Sequence, residues 1–130
     1  MPKPKLTRAE TALRKFALTY PESHEDFPWG HVVVKVKGKV FLFLSNGLTE
    51  EPFIFSMTVK LPLSGKWALT QPFAVPAGYG MGKSGWVSAR FAAKDEIPVD
   101  LLEQWIDESY RTIAPKKVLA KLEAAEAKKR

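Results

Sequence analysis

The sequence has no cysteine and only two histidines among its 130 residues. A chain without cysteine cannot form disulfides, use a thiolate nucleophile or hold zinc through sulfur ligands. This composition is typical of proteins from a reducing compartment, and we expect a cytoplasmic protein. No apolar run approaches the roughly 20 residues of a membrane-spanning helix. We therefore expect neither a signal peptide nor a membrane partner.

The spacings that catalytic and metal sites require are also missing. His24 and His31 belong to no HExxH pattern. The acidic residues beside His24 follow one another along a predicted loop, which is typical of a solvated acidic segment. No serine belongs to a nucleophile motif. Acid–base catalysis needs carboxylates that converge in a cleft, and nothing in the sequence indicates this for the adjacent acids Asp95-Glu96 and Asp107-Glu108. The sequence therefore predicts a protein that is not an enzyme, with no metal ion and no cofactor.

A glycine-rich stretch at residues 78–85 imitates a nucleotide-binding motif, since three of its glycines have the spacing GxGxxG. That motif requires a strand before it and a helix after it, because the helix N-terminus supplies amide groups and a dipole to the phosphate. Here residues 86–91 alternate between apolar and polar, as in a strand. We therefore predict a strand connection that exposes Lys83, and not a phosphate-binding loop.

The net charge of +6 is concentrated at the two ends of the chain. Residues 1–18 carry +4 and residues 111–130 carry +5, which leaves −3 for residues 19–110. Basic proteins commonly bind nucleic acids, because lysine and arginine neutralise phosphates. Basic termini also increase solubility, so the charge alone leaves both interpretations open.

Residues 32–44 contain two runs of β-branched and aromatic residues around Lys37-Gly38. This pattern predicts a β-hairpin at the centre of a sheet. A two-residue turn would place Val34 opposite Phe41, whereas a three-residue turn would shift the register. Apolar residues occupy both faces of the hairpin. We therefore expect helices on one face and a further cover, such as a partner subunit, on the other.

Periodicity along the rest of the chain predicts an α+β fold with one antiparallel sheet. The predicted elements are a helix that ends before Tyr20, strands at 32–36, 39–44 and 53–60, a helix at 62–69, strands at 73–75 and 86–91, and a helix from Asp100 to Pro115. This order (helix, three strands, helix, two strands, helix) is assigned to a single domain over residues 1–130. We expect its core to span about residues 7–114, followed by a basic C-terminal tail over residues 115–130.

The tryptophans are expected to contribute mainly to the core. Trp105 falls on the apolar stripe of the last predicted helix together with Leu102 and Ile106. Trp67 lies in the predicted helix at 62–69, and we expect it to be buried as well. The candidates for lining a ligand pocket beside loops are Trp29, Tyr79 and Trp86.

A set of short motifs follows in order from Tyr20 onward: Tyr20-Pro21, Phe27–Gly30, Val36–Phe41, Gly78-Tyr79, Lys83 with Trp86, Leu101-Leu102, Ser109-Tyr110 and Pro115–Lys117. In this order they resemble the MmcQ/YjbR-like family of small bacterial proteins. The chain departs from that family in the glycine-rich stretch, where many members carry histidine and asparagine. The resemblance implies a secretion-chaperone-like α+β fold and a DNA-binding role of the double-wing kind.

Two functional hypotheses follow. In the first, a non-enzymatic module binds DNA phosphates with little sequence preference. The residues expected to make these contacts are Lys35, Lys37, Lys39, Lys83 and Arg90. Lysines at a hairpin tip also protect sheet edges against aggregation, which is the structural alternative. In the second hypothesis, the chain is a protein-interaction domain that uses the apolar sheet face to bind another protein or a second copy of itself.

Overall fold

The computed structural model describes residues 8–26, 32–46, 53–78, 81–92 and 95–128. Its elements are α1 (Arg8–Ala17), β1 (Ser23–Asp26), β2 (Val32–Val36), β3 (Lys39–Asn46), β4 (Phe53–Lys60), α2 (Gly65–Ala68), β5 (Ala74–Pro76), a 3-10 turn (Met81–Ser84), β6 (Trp86–Ala92), α3 (Val99–Ile113) and α4 (Lys116–Lys128). The strands form one sheet in the order β1-β2-β3-β4-β6-β5, with all neighbours antiparallel. Within these ranges, no helix has the length and apolar character needed to cross a membrane.

The α+β fold class predicted from the sequence is confirmed, but the sheet has one strand more than predicted. Residues Ser23–Asp26, which the sequence placed in an acidic loop, form the edge strand β1. This strand pairs with β2, so that His24 lies opposite Lys35. Aspartate and glutamate are poor strand formers. Pairing with the apolar strand β2 supplies the hydrogen bonds that local propensity does not favour.

The hairpin turn has the two-residue form that Lys37-Gly38 predicts. Both residues have positive φ, 51° and 78°, as in the turns that match the twist of antiparallel strands. The predicted pairing of Val34 with Phe41 is wrong, because the register shifts between Val34 and Lys35 and Val34 lies opposite Leu42. Phe41 is the extra residue of this bulge. Phe41 and Leu42 are consequently both fully buried, although they are adjacent in a strand.

The core lies between the sheet and the helices α1 and α3, which both pack on β3. Leu102, Trp105 and Ile106 of α3 are buried, as the helical stripe predicts. The C-terminal helix also contributes to the core through Val118 and Leu122. The core therefore extends beyond residue 114. The main sheet residues on this side are Val34, Leu42, Leu44, Phe55, Met57 and Val59.

The far face of the sheet, which is the side opposite α1 and α3, carries the apolar side chains of Val33, Phe43 and Trp86 as well as polar side chains. Val33 of β2 is only 1% exposed, so it is buried within the single chain. Farther across, the hydroxyls of Thr58 and Ser88 lie 2.8 Å apart. Phe43 on the same face is only half-buried, and a partner subunit that covers the rest of this face stays a prediction.

Candidate nucleic-acid interface

Two tyrosines from the family-like motifs join the loop after α1 to α3. The hydroxyl of Tyr20 donates to Asp107 Oδ1 at 2.5 Å, and that of Tyr110 donates to the carbonyl of Pro21 at 2.7 Å. Their rings stack with centroids 4.4 Å apart. Burial raises the pKa of both tyrosines above the ordinary value, that of Tyr110 to about 12, so both hydroxyls stay protonated and able to donate well above neutral pH. These motif residues therefore have a structural role.

Ser109, the neighbour of Tyr110, bridges two strands from the helix side. Its hydroxyl donates to the carbonyl of Phe41 at 2.6 Å and accepts from the backbone N–H of Lys60 at 3.0 Å. The side chain is fully buried. It thus joins the start of β3 to the end of β4 next to the bulge.

Several lysines meet at one end of the sheet. Lys39 begins β3 and Lys60 ends β4, and these strands are antiparallel neighbours. Lys83 lies in the 3-10 turn just before β6, where the carbonyl of Gly85 accepts from the N–H of Leu61 at 2.8 Å. Adjacent strands are about 5 Å apart, so the backbones of these three lysines belong to neighbouring segments at the same end of the sheet.

The C-terminal helix adds a further cation at this end. Lys37 Nζ lies 2.7 Å from Glu22 Oε1, and Lys121 Nζ lies 3.0 Å from Glu22 Oε2. Hydrogen bonds from Lys37 and Lys121 hold the pKa of Glu22 below its usual range. In the described ranges, Lys39, Lys60 and Lys83 form no ion pair. We call this set the lysine end; its members are Lys37, Lys39, Lys60, Lys83 and Lys121.

The structure thus brings together three of the five predicted phosphate contacts, Lys37, Lys39 and Lys83. Lys35 lies on the far face, where its Nζ is 2.8 Å from Asp26 Oδ2. Arg90 is the fifth residue of β6, about 13 Å along the strand from its start, and pairs with Ser56. Lys60 and Lys121 were not among the predicted contacts. A strand-end lysine and a helical lysine resemble ordinary surface residues until the sheet order is known.

Of the three predicted pocket residues, only Trp86 lies within the described residues. Trp29 and Tyr79 lie outside the described residues. Trp86 is half-buried on the far face, with its ring edge-on to Phe43 and the centroids 5.6 Å apart. A ligand pocket lined by Trp29, Tyr79 and Trp86 therefore stays a prediction.

The acidic residues beside His24 do not converge on one point. Strand β1 alternates its side chains, so that Glu25 accepts from Arg14 Nε at 2.7 Å while Asp26 binds Lys35. Glu22 binds the lysines at the hairpin and α4. Each carboxylate therefore has its own cation, and the described residues contain no group of three or more potential metal ligands.

The glycine-rich stretch leads into β6, as predicted, and not into a helix. A Cβ atom at Gly82 would lie 2.8 Å from Pro76 Cβ, and Gly85 has a φ of +90°. These two glycines allow a close backbone approach and a left-handed turn. The exposed Lys83 lies between them.

The prediction that Trp67 is buried is wrong, because 53% of its surface is exposed. Leu63, four residues earlier, is 87% exposed. Both side chains line a groove beside α3, with a volume of about 690 Å³, whose floor includes the buried Trp105. The sequence could not reveal this, because α2 has a single turn and its apolar residues do not define which side meets the core.

Comparison with known proteins supports the fold described above. The family model YjbR matches residues 18–112. A solved Deinococcus radiodurans protein with a DUF419 domain is 25% identical, with a TM-score of 0.63 over 82% of this chain and 79% of that chain. A Pseudomonas syringae protein has 16% identity and a TM-score of 0.61 over 83% and 99% of the two chains, and shares the fold. No curated protein matched the sequence. Because the family model covers most of the chain and the sequence motifs lie in the same order, this protein belongs to the YjbR family.

Proposed function

We propose that the protein is a non-enzymatic module that binds the phosphate backbone of nucleic acids at its lysine end. The observation that supports this proposal is the meeting of lysines from the hairpin turn, β3, β4, the 3-10 turn and α4 at one end of the sheet. Only one carboxylate, that of Glu22, forms ion pairs with them in the described residues. The lysine end therefore carries an excess positive charge, although residues 19–110 are acidic as a whole.

Lysine suits this role because its ammonium group acts as a point charge toward phosphate oxygens. Such contacts position a protein on nucleic acid but read no base sequence. Binding releases counterions, so affinity falls steeply with salt. With about four phosphate contacts, raising the salt from about 50 mM to 200 mM should weaken binding by about 100-fold.

The test measures fluorescence anisotropy of a labelled duplex, and of the corresponding single strand, over a range of salt concentrations. The variants are Lys39→Glu and Lys83→Glu. The matched control is Arg8→Glu, which changes the net charge equally but lies at the start of α1, about 15 Å from the end of that helix nearest β1. We expect each lysine variant to weaken binding about 5- to 10-fold and to reduce the salt slope by about 1.

Two results would contradict the proposal. The first is no binding of either nucleic acid at low salt. The second is an equal loss for Arg8→Glu and for the lysine variants, which would indicate that net charge and not the lysine end determines affinity. A preference for duplex over single strand, or the reverse, would identify the form of nucleic acid that is bound.

A further inference from the structure

The two most exposed large apolar side chains of the described residues line one groove. Leu63 and Trp67 rise from the segment between β4 and α2 and from α2 itself. These two side chains line the groove together with Leu101 and Trp105 of α3, of which Trp105 is buried. Contiguous exposed apolar surface of this kind usually marks an interaction site.

The exposure of Leu63 is fixed by hydrogen bonds. The carboxylate of Glu108 accepts from the backbone N–H of Leu63 at 3.0 Å, from that of Ser64 at 3.1 Å and from the Ser64 hydroxyl at 2.6 Å. These bonds hold the segment against α3 while the Leu63 side chain projects outward. A partner would therefore meet a pre-organised surface and pay little entropy to order it.

Charges beside the groove are arranged in complementary fashion. Asp100 and Glu103 form an acidic row on α3 and line an adjacent hollow, whereas the next acid, Asp107, already binds Arg111 of the same helix. Lys66 is exposed on α2, next to Trp67. One surface therefore contains exposed apolar side chains at the groove that they line, and both a cation, Lys66, and an acidic row.

A surface that is complementary to itself is what two-fold association requires, because the same patch is used by both subunits. We propose that this groove binds a second copy of the chain. Leu63 and Trp67 of each copy pack into the groove of the other, and Lys66 of each copy faces the acidic row on the partner's α3. None of these residues belongs to the lysine end, although Leu63 is only three positions from Lys60, so separate variants test dimerisation and nucleic-acid binding.

The experiment is sedimentation velocity of the full chain between about 1 μM and 1 mM, the range in which weak self-association is visible. We expect a concentration-dependent shift from monomer to dimer. The double variant Leu63→Ser/Trp67→Ser should raise the dimer dissociation constant by at least about 10-fold, because it removes the apolar anchors. Both side chains are exposed, and circular dichroism verifies that the variant folds.

Lys66→Glu provides a second measure that does not depend on the apolar residues. It should weaken the dimer several-fold at low salt and less at high salt, because exposed charges are screened. Lys83→Glu carries the same charge change at the lysine end and should leave the dimer unchanged. A wild-type chain that stays monomeric throughout overturns the proposal. A dimer that persists equally in the Leu63→Ser/Trp67→Ser and Lys66→Glu variants also overturns it, since its interface would lie elsewhere.

Discussion

Ser109→Ala tests how the bulged end of the sheet is held together. The Ser109 hydroxyl satisfies the carbonyl of Phe41 and the N–H of Lys60, and alanine would leave both groups without this partner. An unsatisfied buried backbone group costs about 1–3 kcal/mol. The Phe41 contact is buried and the Lys60 contact only partly so. We therefore expect a loss of about 2–4 kcal/mol in the free energy of unfolding.

The assay is urea unfolding followed by circular dichroism, with the free energy of unfolding obtained by linear extrapolation. The loss should appear as a lower midpoint with an unchanged slope. Thr112→Ala is the matched control, because it also removes one hydroxyl from α3. The Thr112 hydroxyl is exposed and donates only to the carbonyl of Glu108 in its own helix. The control should change stability by less than about 0.5 kcal/mol. If Ser109→Ala and Thr112→Ala are equally stable, the reasoning about the bridge is refuted.

Two further predictions concern stability. Burial raises the pKa of Glu10 from 4.5 to about 7, so between these pH values the folded chain keeps a proton that the unfolded chain has released. The free energy of unfolding should therefore fall by up to about 3 kcal/mol as the pH rises from about 4.5 to 8. Glu10→Gln should remove that part of the pH dependence in urea unfolding, and an unchanged pH profile would contradict the assignment. Gly82→Ala should lower stability by about 1–3 kcal/mol, because its Cβ would lie 2.8 Å from Pro76 Cβ. Thermal unfolding measures this loss, with Gly78→Ala as the control, since a Cβ at Gly78 meets nothing within 4 Å.

Local sequence determined the elements whose pattern repeats within a few residues. Lys37-Gly38 produced the expected two-residue turn because glycine readily adopts positive φ. The apolar stripe of α3 and the alternation of β4 identified the buried sides of both elements. The family resemblance also followed from short motifs in order, and the family model confirmed it.

Only the tertiary structure decided the features that join distant segments. β1 forms because β2 offers an edge with which it can pair. Phe41 is the extra residue of a bulge, and its carbonyl accepts a hydrogen bond from Ser109, which lies 68 positions later in the chain. Lys39, Lys60 and Lys83 lie in three neighbouring segments because the strand order places the start of β3, the end of β4 and the turn before β6 at one end of the sheet. Glu108 holds the segment before α2 against α3, and Trp67 of α2 is exposed beside it. Periodicity records which side of an element is apolar, whereas pairing register, ion pairs and exposure depend on residues tens of positions away, whose positions are set only when the chain folds.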